Sequence, residues 1–289
     1  MRNAKSSDIH KRVAAIHDIS CVGRCSLTAA LPLLSAAGVE TNIIPTAILS
    51  THTGGFTNYT YRDLTGDMLP IAAHWNSLGI PYDAIYTGYI GTPEQLEILS
   101  DMIDLLAQRD TLLFIDPVMA DNGTLYKCIS PEYVTAMRNF CRRANIITPN
   151  MTEAMFLLGM DYTEGPYEER LIREILHRLS EFGNDYVILT GVSYDNDRLG
   201  AALYDCRRNR DTFAFSRAVS GTFHGAGDVF ASVLLGALLN GKTAQQALKT
   251  AVDFTVTCID STKKEGADLR YGLNFERNIP RLLKALDLH

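Results

Sequence analysis

The chain has no surplus of positive charge. Its 27 Lys and Arg stand against 33 Asp and Glu, a formal net charge of −6 over 289 residues. Non-specific nucleic-acid binders carry a basic excess, so no nucleic-acid partner is expected. A long apolar run is also missing. The most apolar stretch, residues 230–239, is interrupted by Gly236 and too short to cross a bilayer, so no membrane partner is expected either. Residues 1–12 are polar and charged with no apolar segment behind them, the opposite of a secretory signal. Cys21, Cys25, Cys128, Cys141, Cys206 and Cys258 are scattered, without zinc-type spacing or histidines beside them. That excludes a zinc knuckle and predicts reduced thiols in a cytoplasmic protein. Repeats, low-complexity tracts and Gly-, Ser- or Pro-rich linkers are absent, which predicts one domain over 1–289 with a polar tail at about 1–11. With 46% hydrophobic and 21% charged residues, the remainder is ordinary for a soluble globular protein.

Strand-like runs at 13–17, 39–45, 84–87, 112–115, 145–147 and 186–189 alternate with helix-like ones at 26–37, 71–78, 229–239 and 244–258. Gly38 closes the first helix, and Thr92-Pro93-Glu94 opens another with Thr92 as N-cap and Pro93 at the first helical position. Short apolar strands separated by helices predict an α/β fold, a mostly parallel sheet with helices on both faces. Ligands of such sheets bind beyond the carboxyl ends of the strands. That is where His17-Asp18, Gly88-Tyr89, Asp116, Thr148-Pro149-Asn150 and Thr190 fall. Segments 199–204 and 212–216 read as a hairpin added at the sheet edge.

Gly225-Ala226-Gly227-Asp228 precedes the apolar helix at 229–239. Two glycines permit a tight turn, and the free amides of the helix start favour an anion such as phosphate. A carboxylate there would repel that anion unless it has chemistry to do, and the simplest task is that of a general base. Asp116 and Asp121 supply hard oxygens of the kind magnesium accepts, although Asp-Pro and Asp-Asn-Gly are also common surface turns. Asn150 and Glu153 form a capping box, and the same glutamate could hold a hydrated magnesium. The loop Ser50-Thr51-His52-Thr53-Gly54-Gly55-Phe56 suits close contact with a small polar ligand, and Tyr89 could stack on a ring. Trp75 and the run Lys263-Lys264 carry no assigned function.

Together these motifs resemble the ribokinase superfamily, most closely its pyridoxal kinase branch, over about residues 13–239. The resemblance implies a ribokinase-like three-layer fold and ATP-dependent phosphorylation of the hydroxymethyl group of a vitamin B6 vitamer. By analogy Asp228 is the base, and the amides of Gly225, Ala226 and Gly227 stabilise the transferring phosphoryl group. Asp116, Asp121, Thr148 and Glu153 would organise Mg2+, with a monovalent cation (K+ or Na+) near Thr148 and Thr190. Asp121, Tyr126, Asn150, Thr190 and Gly191 would meet the nucleotide, the stretch from Asp121 to Tyr126 forming a flap. Asp18, Ser20, His52, Thr53 and Tyr89 would meet the vitamer, and the hairpin and the helix at 244–258 would bracket the adenine. A homodimer is implied. Where the family usually has serine after the first strand, this chain has Asp18, which predicts a preference for pyridoxamine or protonated pyridoxine over pyridoxal. His224 is a second departure. The rivals are a hydroxymethylpyrimidine kinase, whose glycine-rich stretch is lacking at Cys21-Val22-Gly23-Arg24-Cys25, and a vitamer-binding protein without catalysis.

Overall fold

Side-chain alternation along the first strand divides the core in two. Val13 and Ala15 point to one face of the sheet, Ala14 and Ile16 to the other, and each pair is fully buried. The structure, a computed structural model, describes residues 10–127, 129–219, 221 and 223–288. Most of the expected polar tail lies outside the described residues, as does Cys128. Along the chain run β1 (Arg12–Ser20), α1 (Leu27–Ala36), β2 (Glu40–Leu49), β3 (Tyr61–Asp63), α2 (Thr65–Ser77), β4 (Ala84–Thr87), α3 (Pro93–Leu106) and β5 (Leu112–Ile115). Then follow β6 (Ala120–Asp121), β7 (Thr124–Leu125), α4 (Pro131–Cys141), β8 (Ile146–Ile147), α5 (Met151–Leu158) and α6 (Glu169–Ser180). The remainder is β9 (Tyr186–Val192), β10 (Arg198–Asp205), β11 (Arg210–Arg217), α7 (Ala226–Leu239), α8 (Ala244–Lys264) and α9 (Ile279–Ala285).

Nine strands form one sheet in the order β11-β10-β9-β8-β5-β4-β1-β2-β3. The six from β9 to β2 are parallel, while β3 at one edge and the β10–β11 hairpin at the other are antiparallel. Helices α2 to α6 pack on one face and α1, α7, α8 and α9 on the other. This is the expected three-layer arrangement. Among the described residues no helix is long and apolar enough to cross a membrane.

Local chemistry sets the helix starts. The Thr92 hydroxyl accepts from the Gln95 amide with Pro93 behind it, and Asn150 and Thr243 each head a full capping box. Strand β2 runs past Pro45, which the sequence had suggested as its end. Pro45 lies opposite His17, and the β1–β2 register shifts just after that pair, where the missing N–H does least harm. Helix α2 starts six residues before the predicted 71, because Pro70 inside it disguises the first turn. Helices α4 and α6 went unread, although α6 buries Ile172, Ile175, Leu176 and Leu179 on one face.

Register decides where the functional side chains fall. Ile16 pairs with Thr87, Thr87 with Ile115, and Ile115 with Ile147. One residue further on, His17, Gly88, Asp116 and Thr148 form a row along the carboxyl edge. Beneath it Tyr86 and Phe114, both fully buried, meet edge-to-face at 5.1 Å on the α7 side. Phe114→Ala should destabilise the protein by about 3–5 kcal/mol, read as a lower urea midpoint at unchanged m-value. A loss under about 1 kcal/mol would show that this layer does not support the row.

Candidate active site

The loop before α7 is built by close approach. Gly225 has φ 73°, and a Cβ there would lie 2.0 Å from the Arg24 carbonyl oxygen. The same oxygen would lie 2.6 Å from a Cβ on Gly272. Only glycine fits either place, and the pair pins the 23–26 loop against the start of α7. The first intrahelical bond runs from Val229 N–H to Gly225 O at 3.0 Å. The Ala226 amide has a long contact of 3.4 Å to Phe223 O. Those of Gly227 and Asp228 have no hydrogen-bond partner among the described residues. These are the orphan donors of a helix start, and they open on a cleft of about 380 Å³.

Asp228 sits half-buried on the cleft wall. Burial pushes its carboxyl up to about 7; the Ser26 amide favours the charged form and the nearby Asp18 disfavours it. Asp116, buried at the end of β5, is raised well above the usual carboxylate range by burial and by the charges of Glu153 and Asp228. The buried Thr148 hydroxyl beside it favours its charge but has no partner at full hydrogen-bond geometry. Glu153 is raised chiefly by burial, but three amides hold its charge in place. Its Oε1 accepts from Met119 N–H at 3.0 Å and Ala120 N–H at 3.5 Å, and its Oε2 from Asn150 N–H at 2.9 Å. Glu153 therefore fastens the segment after β5 to α5, with little acceptor capacity left for anything else.

Asn150 completes that join, donating from Nδ2 to Ala120 O at 2.8 Å. The segment expected to form a flap is a two-residue hairpin, β6–β7, turning through Asn122 (φ 49°) and Gly123 (φ 74°). Positive φ at both central positions is the turn an Asn-Gly pair favours. Exposed Asp121 accepts from Asn122 N–H at 2.9 Å and faces the cleft. At the far end Leu199, Phe223, Phe230 and Ile259 give the cleft an apolar wall, between the β10–β11 hairpin and α8.

The cleft thus gathers Asp116, Asp121, Tyr126, Thr148, Asn150, Glu153, Thr190 and Gly225 through Asp228. Asp18, Ser20, His52, Thr53, Tyr89 and Gly191 do not line it. Asp18 is buried at the end of β1, where Oδ1 accepts from the Ser26 hydroxyl at 2.5 Å and Oδ2 from the Ser20 hydroxyl at 3.2 Å. Burial raises it, and the two hydroxyls favour its charge. The His52 ring braces its own loop: Nδ1 accepts from Gly54 N–H at 3.1 Å, which leaves Nε2–H to donate to Arg270 O. Thr53 is exposed and Tyr89 half-buried.

Sequence reasoning missed Ser26. Its φ of 51° and ψ of −132° are a strained pair for a residue with a Cβ. From there its hydroxyl holds Asp18 and its amide faces Asp228. The sequence signalled only a serine before a helix. The raised Asp228 also makes a stability prediction. Its carboxyl titrates near 4 when unfolded and near 7 when folded, so stability falls as pH rises between those values. Asp228→Asn should accordingly raise Tm at pH 8 and raise it less at pH 5; a lower Tm than native at pH 8 would contradict the burial cost.

Known proteins resemble this chain in sequence and fold. A family model described as phosphomethylpyrimidine kinase matches residues 26–271. A protein from Bacteroides thetaiotaomicron, named a candidate phosphomethylpyrimidine kinase and solved in a crystal form with pyridoxal, is 37% identical over 95% of this chain and 96% of its own, with a TM-score of 0.90. Pyridoxal kinase from Lactobacillus plantarum is 29% identical over 96% of this chain and 99% of its own, with a TM-score of 0.87. Human pyridoxal kinase is 27% identical over 78% of this chain and 76% of its own. With a ribokinase-like fold and a family match across most of its length, the chain belongs to the phosphomethylpyrimidine kinase family.

Proposed function

We propose that the protein transfers the γ-phosphoryl group of ATP to the hydroxymethyl oxygen of a vitamin B6 vitamer. The observation that carries this reading is the placement of Asp228. A carboxylate with its pKa raised to about 7 stands on the cleft wall beside free amides at a helix start, with Asp18 nearby. Triphosphate suits the cleft, its adenine end against Leu199, Phe223, Phe230 and Ile259. The vitamer belongs on the other side of Asp228, near Asp18, Ser20, Thr53 and Tyr89.

The hydroxymethyl proton passes to Asp228 as the oxygen bonds to the γ-phosphorus. The bond from that phosphorus to the bridging oxygen breaks, and its electron pair leaves with ADP. The Gly227 and Asp228 amides, aided by those of Gly225 and Ala226, donate to the oxygens of the phosphoryl group. The donor set also fits magnesium. Asp116 and Asp121 offer hard oxygens, and the orphaned Thr148 hydroxyl needs a partner. Among the described residues no three His, Cys, Asp or Glu side chains form a metal cage, so the ion would keep waters and phosphate ligands. Bound there, magnesium supplies neutralisation of phosphate charge, and Glu153 supports it by fixing the Asp116–Asp121 segment. A monovalent cation fits near Thr148 and Thr190. We read the active form as a cytoplasmic homodimer, which a native mass of two chains would support.

A second reading, phosphorylation of hydroxymethylpyrimidine, is favoured by the description of the matching family. Incubation with MgATP and each of pyridoxal, pyridoxine, pyridoxamine and hydroxymethylpyrimidine, followed by product mass, separates the two. Phosphorylated vitamer is expected; product from the pyrimidine alone would replace the first reading with the second.

If Asp228 is the base, kcat/KM should fall below pH 7, about tenfold per pH unit once the group is protonated. Asp228→Ala should lower kcat by about 10²- to 10⁴-fold. A variant that keeps native kcat would remove Asp228 from the mechanism. Asp18, whose charge two hydroxyls favour against the cost of burial, should favour vitamers bearing a positive charge. Asp18→Ser should therefore shift the ranking of kcat/KM from pyridoxamine toward pyridoxal, and an unchanged ranking would refute that preference.

A further inference from the structure

The charge of the cleft does not balance. Asp116, Asp121, Glu153 and Asp228 line it, and among the described lining residues there is no lysine or arginine. A nucleoside triphosphate would bring more negative charge to these four carboxylates. One lining residue has a basic side chain, His224, immediately before the glycine loop.

His224 is placed by close packing. A Cβ on Gly54 would lie 2.6 Å from its Cε1 and 2.7 Å from its Nδ1, so only glycine admits the ring under the 52–55 loop. Its ring centroid is 5.1 Å from that of His52. His52 has both nitrogens committed, to Gly54 N–H and Arg270 O, and serves as a fixed wall. The imidazole of His224 makes no hydrogen bond to any described residue. It is half-buried, faces the field of Asp121, and lies where the triphosphate cleft meets the loop expected to cover the vitamer.

We propose that His224 is a further catalytic residue, a side-chain donor to an oxygen of the phosphoryl group as it passes between nucleotide and acceptor. The inference rests on the phosphotransfer reading above and adds a donor to its backbone amides. The bonds made and broken are unchanged: His224 keeps its proton throughout and donates a hydrogen bond that strengthens as charge builds on the phosphoryl oxygens. Its position also explains the paired glycines. Gly54 makes room for the ring, and Gly225 turns the chain so that the ring and the amides open on one cleft.

The test compares native enzyme with His224→Phe, which keeps a planar ring without a donor, and His224→Gln, which keeps a neutral donor. His224→Phe should lower kcat by about 10²-fold, as expected for one lost oxyanion donor, with vitamer KM within about threefold of native and Tm unchanged. His224→Gln should recover about tenfold of that loss. As an acceptor-independent measure, binding of MgADP with aluminium fluoride should weaken in His224→Phe while binding of MgADP alone does not. Native kcat in His224→Phe, a loss confined to vitamer KM, or equal weakening of the two nucleotide complexes would each overturn the proposal. If native enzyme phosphorylates no vitamer, the function reading fails by itself, and the aluminium fluoride comparison still decides the role of His224.

Discussion

Desolvation of four carboxylates around one cleft governs this site. It disfavours the charged form of each, and repulsion adds to that cost, two unit charges about 4 Å apart repelling by about 4 kcal/mol at the effective dielectric of a protein surface. Asp116, Asp228 and Glu153 are all pushed toward their neutral forms. Such a cluster is tolerable where something bound offsets it, or where a proton must be held near neutrality. On the proposed function the cleft answers both needs, with hard-oxygen donors for a cation and a carboxylate raised to about 7 beside free amides.

The sheet enforces that crowding. Parallel pairing from β2 to β9 brings the ends of β1, β4, β5 and β8 into one row, and register leaves Asp116 and Thr148 no other level. Glu153 then ties the Asp116–Asp121 segment to α5 through three amides. On the opposite side, Arg24 O presses on Gly225 and Gly272, and this fixes Ser26 between Asp18 and Asp228. Asp228 thus follows a loop fixed by Arg24 O, and it lines the same cleft as the segment that Glu153 fixes.

Much of this was legible in the sequence, because it rests on local rules. Gly225 to Asp228, the Asn150–Glu153 box and the apolar strands each announce themselves within a few residues, and the flap is an Asn-Gly turn. What stayed hidden depends on contacts distant along the chain. Ser26 reads as the first residue of a helix-like run until Asp18 and Asp228 stand beside it. His52 reads as a ligand until Arg270 O occupies its Nε2–H. Glu153 reads as a capping residue that could also hold magnesium until the Met119 and Ala120 amides take up its Oε1. The unread helices α4 and α6 had the right periodicity but no sharp start, since neither Ser130 nor Glu168 makes a side-chain cap. His224 was visible as a departure, and only the absence of other basic residues in the cleft gives it meaning.

The most direct test of the central claim is a crystal structure of the protein with pyridoxal and a non-hydrolysable ATP analogue. The account predicts the hydroxymethyl oxygen within hydrogen-bond reach of the Asp228 carboxylate, and the γ-phosphate against the Gly227 and Asp228 amides. A vitamer hydroxyl directed away from Asp228, or a γ-phosphate placed elsewhere than the start of α7, would contradict it.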